Sequence, residues 1–403
     1  MTASDRPGPA SRAGGAARRV REAVRAHLRE GVAQGVFPGA VAAVIWRGAT
    51  LALEAHGFAQ VVPYCRAMTP QTIFDLASVT KPVVTTTAVL QLWERGILDV
   101  DAPVCRYLPG FADGGKERVT VRHLLAHTSG LPAWEMLYLP APSALCGGSG
   151  ARARACRSID EAVARICATP AAASPGVSVN YSDLGFIVLG HLVQRASGED
   201  LEAYARRHIF GPLGMRWTRF VPPAGWRSRC AATEMGNAYE REKAAALGLG
   251  RRFPWRTYLL RGEVHDGNAW YLGRGVAGHA GLFGTAADLG RFGMAMLRGG
   301  SLDGVRILGR RTVREATCTQ TPHTAGPPRG LGWALAGAPF AGSRASPSAF
   351  GHTGFVGTSV LVDPDRDLVV VLLTNRVHPS ASNEAIQGFR ATFHDAVIGA
   401  LDA

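Results

Sequence analysis

Residues 358–374 read TSVLVDPDRDLVVVLLT, and this stretch decides the fold. Two apolar runs, 358–362 and 368–374, flank a polar turn that contains three Asp residues and one Pro. This pattern predicts two antiparallel strands joined by a short connection. The run LGWAL at 331–335 predicts a third strand of the same kind.

The N-terminal part holds two shorter apolar runs, 39–46 and 51–55, on either side of a turn at Arg47 and Gly48. Two strands alone do not make a stable sheet. The economical arrangement is one antiparallel sheet of about five strands, built from both chain ends and covered by helices predicted at 16–34 and 383–401. The predicted fold class is therefore α+β, with a large and mainly helical insertion.

The residues between the two chain ends are mostly helical by pattern. Helices are predicted from about 82 to 95 and near 121–126, 158–168, 183–197, 200–208 and 286–298. The run at 140–157 is rich in Gly, Ser, Pro and Ala, and it predicts an exposed loop.

These patterns divide the chain into two unequal regions. Residues 1–15 are rich in Gly, Pro and Ala, and we expect them to be disordered. Residues 16–403 are expected to form a single domain. Its sheet part would span about 16–77 and 330–403, and its helical part about 78–329.

The composition is that of an ordinary globular protein, with 403 residues, 47% hydrophobic and 19% charged. No run of about 18 apolar residues occurs, so no membrane span is expected. The N-terminus lacks the apolar core of a secretory signal, which predicts a cytoplasmic protein. The seven cysteines are odd in number and include no C-x-x-C, which argues against a disulfide framework or a zinc ribbon.

The net charge is +13, which raises the question of nucleic-acid binding. The arginines are scattered and no basic run is interleaved with aromatic residues, so we expect no nucleic-acid partner. Attraction of anionic substrates remains open.

Only three of the 44 basic residues are lysines, and one of them, Lys81, follows Ser78 by three positions at the start of a predicted helix. A serine hydroxyl is a weak nucleophile until a neighbouring base takes its proton. A lysine amine can become that base when burial and nearby cations lower its pKa, whereas arginine keeps its proton. Because residues three apart share one face of a helix, Ser78 and Lys81 are a candidate nucleophile and base.

Two further short motifs follow in order. Tyr181-Ser182-Asp183 lies about 100 residues downstream, at the mouth of a predicted helix. His352-Thr353-Gly354 follows about 170 residues later and enters a predicted strand. Each motif is common by chance, but the three in this order are specific.

In these three motifs the chain resembles the serine β-lactamase and penicillin-binding-protein superfamily, whose signature set is S-x-x-K, S-D-N and K-T-G. The second and third motifs resemble the branch of class C β-lactamases, D-Ala-D-Ala carboxypeptidases and esterases. Further stretches that are similar to this branch are 74–81, 122–132, 264–269 and 278–283. The resemblance covers roughly residues 20–400.

The resemblance implies a role for each motif. Ser78 would attack a carbonyl carbon and form an acyl-enzyme, and Lys81, neutral or sharing a proton, would accept the serine proton. Tyr181, with its pKa lowered by neighbouring cations, would exchange protons with Lys81 and help to activate the deacylating water. The backbone N–H groups of Ser78 and Phe355 would form the oxyanion hole, and Gly354 would leave room for substrate.

The substrate-binding residues implied are Asp183, His352, Thr353 and Gly354, and two of them depart from the usual pattern. Asp183 stands where many relatives have Asn, and a carboxylate near Lys81 would favour the ammonium and weaken the base. His352 stands where β-lactamases and carboxypeptidases usually carry Lys, and it would be only partly cationic. Both departures favour an esterase or amidase over a D-amino-acid peptidase, and a β-lactamase comes last.

We therefore predict a serine hydrolase that acts on a small ester, amide or D-amino-acid substrate without a cofactor or a metal. The alternative is a catalytically inactive binding or regulatory protein of the same fold. The run His127-Thr128-Ser129-Gly130 mimics the third motif but follows a helix, so a structural turn is expected there. A metal site at His265, Asp266, Asn268 and His279 matches no trusted spacing, and residues 264–269 are expected to border the pocket.

Overall fold

The structure, a computed structural model, describes residues 9–141 and 154–403. Its strands are β1 (Gly39–Trp46), β2 (Ala49–Gln60), β3 (Arg66–Ala67), β4 (Phe74–Asp75), β5 (Arg219–Phe220), β6 (Ala232–Met235), β7 (Leu259–Arg261), β8 (Leu282–Gly284), β9 (Ser301–Leu302), β10 (Val305–Arg306), β11 (Ala334–Leu335), β12 (Phe350–Thr353), β13 (Ser359–Asp363) and β14 (Leu368–Thr374). Its helices are α1 (Pro9–Ala33), α2 (Thr87–Glu94), α3 (Val121–Leu125), α4 (Ile159–Ala168), α5 (Asp183–Ser197), α6 (Leu201–Ala205), α7 (Ala238–Ala246), α8 (Gly267–Tyr271), α9 (Ala286–Leu297), α10 (Arg310–Thr317) and α11 (Ile386–Asp402).

A central antiparallel sheet is built from both chain ends, as predicted, in the order β11-β12-β13-β14-β1-β2-β3. It has seven strands instead of about five. The two additional strands are β3, which has only two residues, and β12, whose sequence FGHT shows no apolar alternation. The strand predicted at 331–335 is reduced to β11. His352 therefore lies near the end of a strand of its own, and the turn after it leads into β13.

The middle strands of the sheet are buried on both faces. In β1, Val41 and Ile45 pack into the core of the helical part, whereas Ala42 and Val44 pack toward α1 and α11. Successive side chains of a strand point to opposite faces, so one uninterrupted apolar run serves two layers of helices. This explains why β1 and β14 are apolar at nearly every position.

The two terminal helices cover one face of the sheet, as the sequence predicts. Val20, Val24 and Leu28 are fully buried in the layer that α1 forms with α11. The helix α1 starts at Pro9, well before residue 16, because proline is tolerated in the first turn and the following residues are rich in alanine. Residues 1–8 of the segment expected to be disordered lie outside the described residues.

The active-site helix does not begin as a regular α-helix. A 3₁₀ turn, Ala77–Val79, is followed by a π-helical segment, Lys81–Thr86, which continues into α2. The strand β12 packs against the 3₁₀ turn, so the C-terminal strands meet the start of the helical part there. Of the loop predicted at 140–157, residues 142–153 lie outside the described residues. Within the described residues, no helix has the length and apolar character to cross a membrane.

Candidate active site

Ser78 is presented by a strained turn. Ala77, just before it, has φ +46°, a conformation that costs a residue with a Cβ atom of order 1 kcal/mol or more. The buried carboxylate of Asp75 accepts hydrogen bonds from the backbone N–H groups of Ala77 and His265, both at 2.8 Å. Asp75 therefore fixes the turn and ties it to the loop that follows β7. The sequence analysis did not single out Asp75, although an aspartate within the apolar run 73–77 was a possible signal.

Lys81 lies close enough to Ser78 to exchange a proton with it. Its Nζ is 2.9 Å from Ser78 Oγ and also donates to the carbonyl oxygen of His279 at 3.2 Å. The backbone stays helical from the 3₁₀ turn into the π-helical segment, so side chains three positions apart lie on one face and the two groups meet. The contact agrees with the predicted pairing of nucleophile and base.

The surroundings of Lys81 favour its charged form, whereas the sequence analysis expects an amine that is neutral or shares a proton. Burial alone would lower the pKa of Lys81, but the Asp183 carboxylate, 2.6 Å from Nζ, and Tyr181 outweigh it and raise the pKa above its usual value. Ser78, His279 and Asp183 together occupy the three donor positions of an ammonium group. Asp183 thus has the effect that the sequence suggested, because it holds Lys81 in its charged form.

Tyr181 lies directly before α5 and its ring faces Lys81, whose Nζ is 4.7 Å from the ring centroid. Ser182 caps α5 by accepting a hydrogen bond from the Gly185 N–H. The buried phenol oxygen has no hydrogen-bond partner of good geometry among the described residues. Burial raises the pKa of Tyr181 although Lys81 opposes this, so the lowered pKa expected from neighbouring cations is wrong for the structure.

His127 lies in a turn, as predicted, with φ +59°. However, its ring centroid is only 4.4 Å from that of Tyr181, and its Nδ1 accepts a hydrogen bond from the Ser182 N–H at 3.0 Å. Burial lowers its pKa well below the usual range, so the ring is neutral. The turn therefore packs against Tyr181 and supports it. The sequence analysis missed this contact because His127 lies 54 residues before Tyr181 in the chain.

His352 is buried near the end of β12, and burial, assisted by Lys81 and Arg329, lowers its pKa well below the usual range. The ring is therefore neutral, not partly cationic as expected. Its Nδ1 lies 2.8 Å from the Thr353 carbonyl oxygen, so Nδ1 carries the hydrogen and Nε2 is left as an acceptor. A neutral hydrogen-bond acceptor at position 352 cannot bind a substrate carboxylate in the way that a lysine at this position would.

Close packing requires a glycine at position 354, and its predicted role in leaving room for substrate stays a prediction. A Cβ atom at this position would lie 2.2 Å from Thr358 Oγ1 and 2.5 Å from the Leu76 carbonyl oxygen. The glycine thus lets the turn after β12 approach the residues that precede Ser78. Two buried arginines hold this turn, since Arg390 donates to the Gly354 carbonyl oxygen at 2.8 Å and Arg376 donates to that of Phe355 at 2.7 Å.

The Ser78 side chain opens into a cavity of about 530 Å³. Its walls include Trp134, Tyr181, Asp183, Tyr239, Glu240, Lys243, His265, Asp266, His279, Arg329, Phe340, His352, Thr353, Gly354 and Phe355. Residues from the stretch 264–269 border this cavity, as predicted. The backbone N–H of Phe355 makes no hydrogen bond to another described residue, so it is free for the predicted oxyanion role.

The four residues considered as a metal site do not direct their side chains at one common point. His265 Nε2 lies 3.0 Å from Glu234 Oε2, and His279 Nε2 lies 2.9 Å from Asp266 Oδ1. Asp183, Asp266 and His279 do offer ligand atoms within 4.8 Å of one another. The Lys81 ammonium already lies beside Asp183, so a metal ion there would compete with the lysine. The absence of a metal stays a prediction.

The fold and the site together define a serine hydrolase. The Beta-lactamase family profile matches residues 24–392, so the chain belongs to that family. It is 34% identical over 361 residues to an N-acetylmuramyl-L-alanine amidase of Bacillus subtilis (strain 168), covering 85% of this chain and 78% of the relative. It is also 34% identical over 323 residues to a putative D-alanyl-D-alanine carboxypeptidase of Escherichia coli (strain K12), covering 77% and 70%.

Solved structures show the same fold at lower identity. EstCE1, described as a hydrolase with promiscuous acyltransferase activity, aligns with a TM-score of 0.72 and 24% identity over 95% of this chain and 100% of its own. A class C β-lactamase from Rhodobacter sphaeroides aligns with a TM-score of 0.67 and 19% identity over 95% and 100%. The predicted α+β fold and the predicted enzyme class are thereby confirmed.

Proposed function

We propose that the protein hydrolyses a small ester or amide through an acyl-enzyme formed on Ser78. The observation that carries this proposal is the 2.9 Å contact between Lys81 Nζ and Ser78 Oγ at the wall of an open cavity. A serine paired with a proton-accepting network is the arrangement that nucleophilic catalysis needs.

The reactive form of this site has one proton fewer than the resting form. In the resting site Lys81 is an ammonium and Tyr181 a phenol, because the pKa of each is raised. Two groups this close titrate as a unit. Loss of one proton from the pair leaves either a phenolate beside an ammonium or a phenol beside an amine. Either state can accept the Ser78 proton as Oγ bonds to the substrate carbonyl carbon.

The remaining steps follow from the same groups. The backbone N–H groups of Ser78 and Phe355 would receive the developing oxyanion, and such donors each contribute about 3 kcal/mol in related chemistry. The proton taken from Ser78 is then given to the leaving group, which departs as an alcohol or an amine. A water molecule attacks the acyl carbon and the pair takes one of its protons. The pair returns this proton to Ser78 Oγ as the acyl–oxygen bond breaks and the acid product leaves.

The surroundings of the site favour an ester or amide substrate that does not need a carboxylate group to be recognised by residue 352. His352 is neutral and offers an acceptor, which suits a substrate N–H or O–H group. Trp134, Tyr239 and Phe355 give the cavity apolar walls for an acyl chain or a ring. The names of the relatives, an amidase and a putative carboxypeptidase, support the same bond types.

The test combines a covalent probe with a substrate panel. A fluorophosphonate should label the wild-type protein but not Ser78→Ala, and p-nitrophenyl esters should be hydrolysed faster than D-alanyl anilides or nitrocefin. Ser380→Ala, at an exposed serine outside the cavity, is the matched control and should keep both properties. Labelling or turnover of Ser78→Ala near the wild-type rate would exclude Ser78 as the nucleophile.

A further inference from the structure

Arg329 is a half-buried cation at the wall of the active-site cavity, and it has no acidic partner among the described residues. It lies in the loop before β11, where its backbone N–H donates to Thr321 Oγ1 at 3.0 Å and its carbonyl oxygen accepts from the Gln320 N–H at 2.7 Å. The backbone is thus fixed. Among the described residues its guanidinium makes no hydrogen bond and no ion pair, and its Nε is buried.

A charged group that is partly withdrawn from water and has a buried, unpartnered Nε is costly, so a guanidinium in this position calls for an explanation. The charged group faces the ring of Tyr181, since Arg329 Cζ lies 5.5 Å from the centroid of the phenol ring. Burial lowers the pKa of Arg329, but arginine titrates so far above neutral pH that the guanidinium keeps its charge there. The side chain therefore applies a permanent positive charge to the tyrosine.

The position of this charge matters because His352 does not supply one. The ring of His352 lies 6.0 Å from that of Tyr181 between centroids, but it is neutral and brings no charge to the tyrosine. Arg329 acts on the same groups, because its charge contributes to the lowered pKa of both His352 and His127. It is thus directed at the cluster formed by Tyr181 and the two imidazoles.

We propose that Arg329 is a positioning residue that stabilises the phenolate form of Tyr181 and so favours the reactive state of the site. This inference rests on the proposed function of the Lys81–Tyr181 pair. The charged and titratable groups that face Tyr181 are Lys81 from the π-helical segment, Asp183 from α5, His127 from the turn after α3, His352 from β12 and Arg329 itself. With both imidazoles neutral, Lys81 and Arg329 favour the phenolate and Asp183 opposes it.

The first test measures Tyr181 without catalysis. In a Ser78→Ala background, the phenolate absorbance is titrated and the Tyr181 component is isolated by subtracting the titration of Tyr181→Phe. Arg329→Gln should move this component to higher pH by about one unit, the size expected of a unit charge at this distance. Arg329→Lys should keep most of the wild-type midpoint, and Arg306→Gln, at an exposed arginine on β10, should not move it.

The second test separates this role from binding of an anionic substrate. With a neutral p-nitrophenyl ester, Arg329→Gln should shift the rising limb of kcat/KM against pH upward by the same amount. If the Tyr181 midpoint and the pH profile stay in place, the proposal is wrong. An increased KM confined to an ester that carries a carboxylate would identify Arg329 as a substrate clamp and would also overturn it. If Arg329→Gln does not fold, Arg329→Met keeps the aliphatic stem and is measured in its place.

Discussion

Replacement of Asp183 by asparagine should move the pH dependence of the enzyme to lower pH. The carboxylate of Asp183 lies 2.6 Å from Lys81 Nζ, and the lysine side chain is fully buried. Asp183 raises the pKa of Lys81, and it also contributes to the raised pKa of Tyr181. The variant Asp183→Asn keeps the size of the side chain and removes only the charge, so both groups should lose a proton more easily.

The size of the shift follows from the contact. An opposite charge within hydrogen-bonding distance typically changes a pKa by about 1 to 3 units. One unit corresponds to about 1.4 kcal/mol, so the carboxylate favours the ammonium by roughly 1.4 to 4 kcal/mol. The rising limb of kcat/KM should move down by the same number of pH units. At a pH below the wild-type midpoint, hydrolysis should become at least about tenfold faster.

The assay is the hydrolysis of a neutral p-nitrophenyl ester from about pH 6 to pH 10, a range in which the wild-type rate should still be rising because the pKa values of Lys81 and Tyr181 are raised. The matched control is Asp266→Asn, which removes a carboxylate from the same cavity that pairs with His279 and not with Lys81. It should give a smaller shift. An unchanged profile in Asp183→Asn, or a shift to higher pH, would refute the assignment of the Lys81–Tyr181 pair as the titrating base.

The same variant should show a stability change of defined sign. In the wild type the folded-state pKa of Lys81 lies above its ordinary value of 10.5, so the pair stabilises the fold below that pH and loses this effect as pH rises further. In Asp183→Asn the buried ammonium is unpaired, and the free energy of unfolding near neutral pH should fall by about 3 kcal/mol. The difference in Tm between the two proteins should shrink as the pH rises above 10.5.

Two further predictions concern the geometry around Ser78. Gly354→Ala places a Cβ atom 2.2 Å from Thr358 Oγ1, so the turn must shift, and kcat should fall about 100-fold with a modest drop in Tm. An unchanged kcat would mean that this turn does not set the oxyanion geometry. Asp75→Ala removes the acceptor that holds the strained Ala77, so fluorophosphonate labelling of Ser78 should slow about 100-fold, as followed by gel fluorescence. Labelling at the wild-type rate would show that the turn holds its shape without Asp75.

The sequence by itself determined the main architecture because the sheet is buried on both faces. The runs in β1 and β14 are apolar at nearly every position, and such runs admit few alternatives to central strands. It also determined the pairing of Ser78 with Lys81, since a spacing of three residues fixes two side chains on one face. It did not reveal β12, because four residues that include Gly351 and His352 carry no periodic signal.

The electrostatics of the site were decided by the tertiary structure. A pKa depends on burial and on charges within a few ångströms, and these come from residues far apart in the chain. Asp183 holds Lys81 charged across about 100 positions, and Arg329 reaches Tyr181 across about 150. Sequence spacing thus identifies which groups can react, whereas only the folded chain sets where their protons reside.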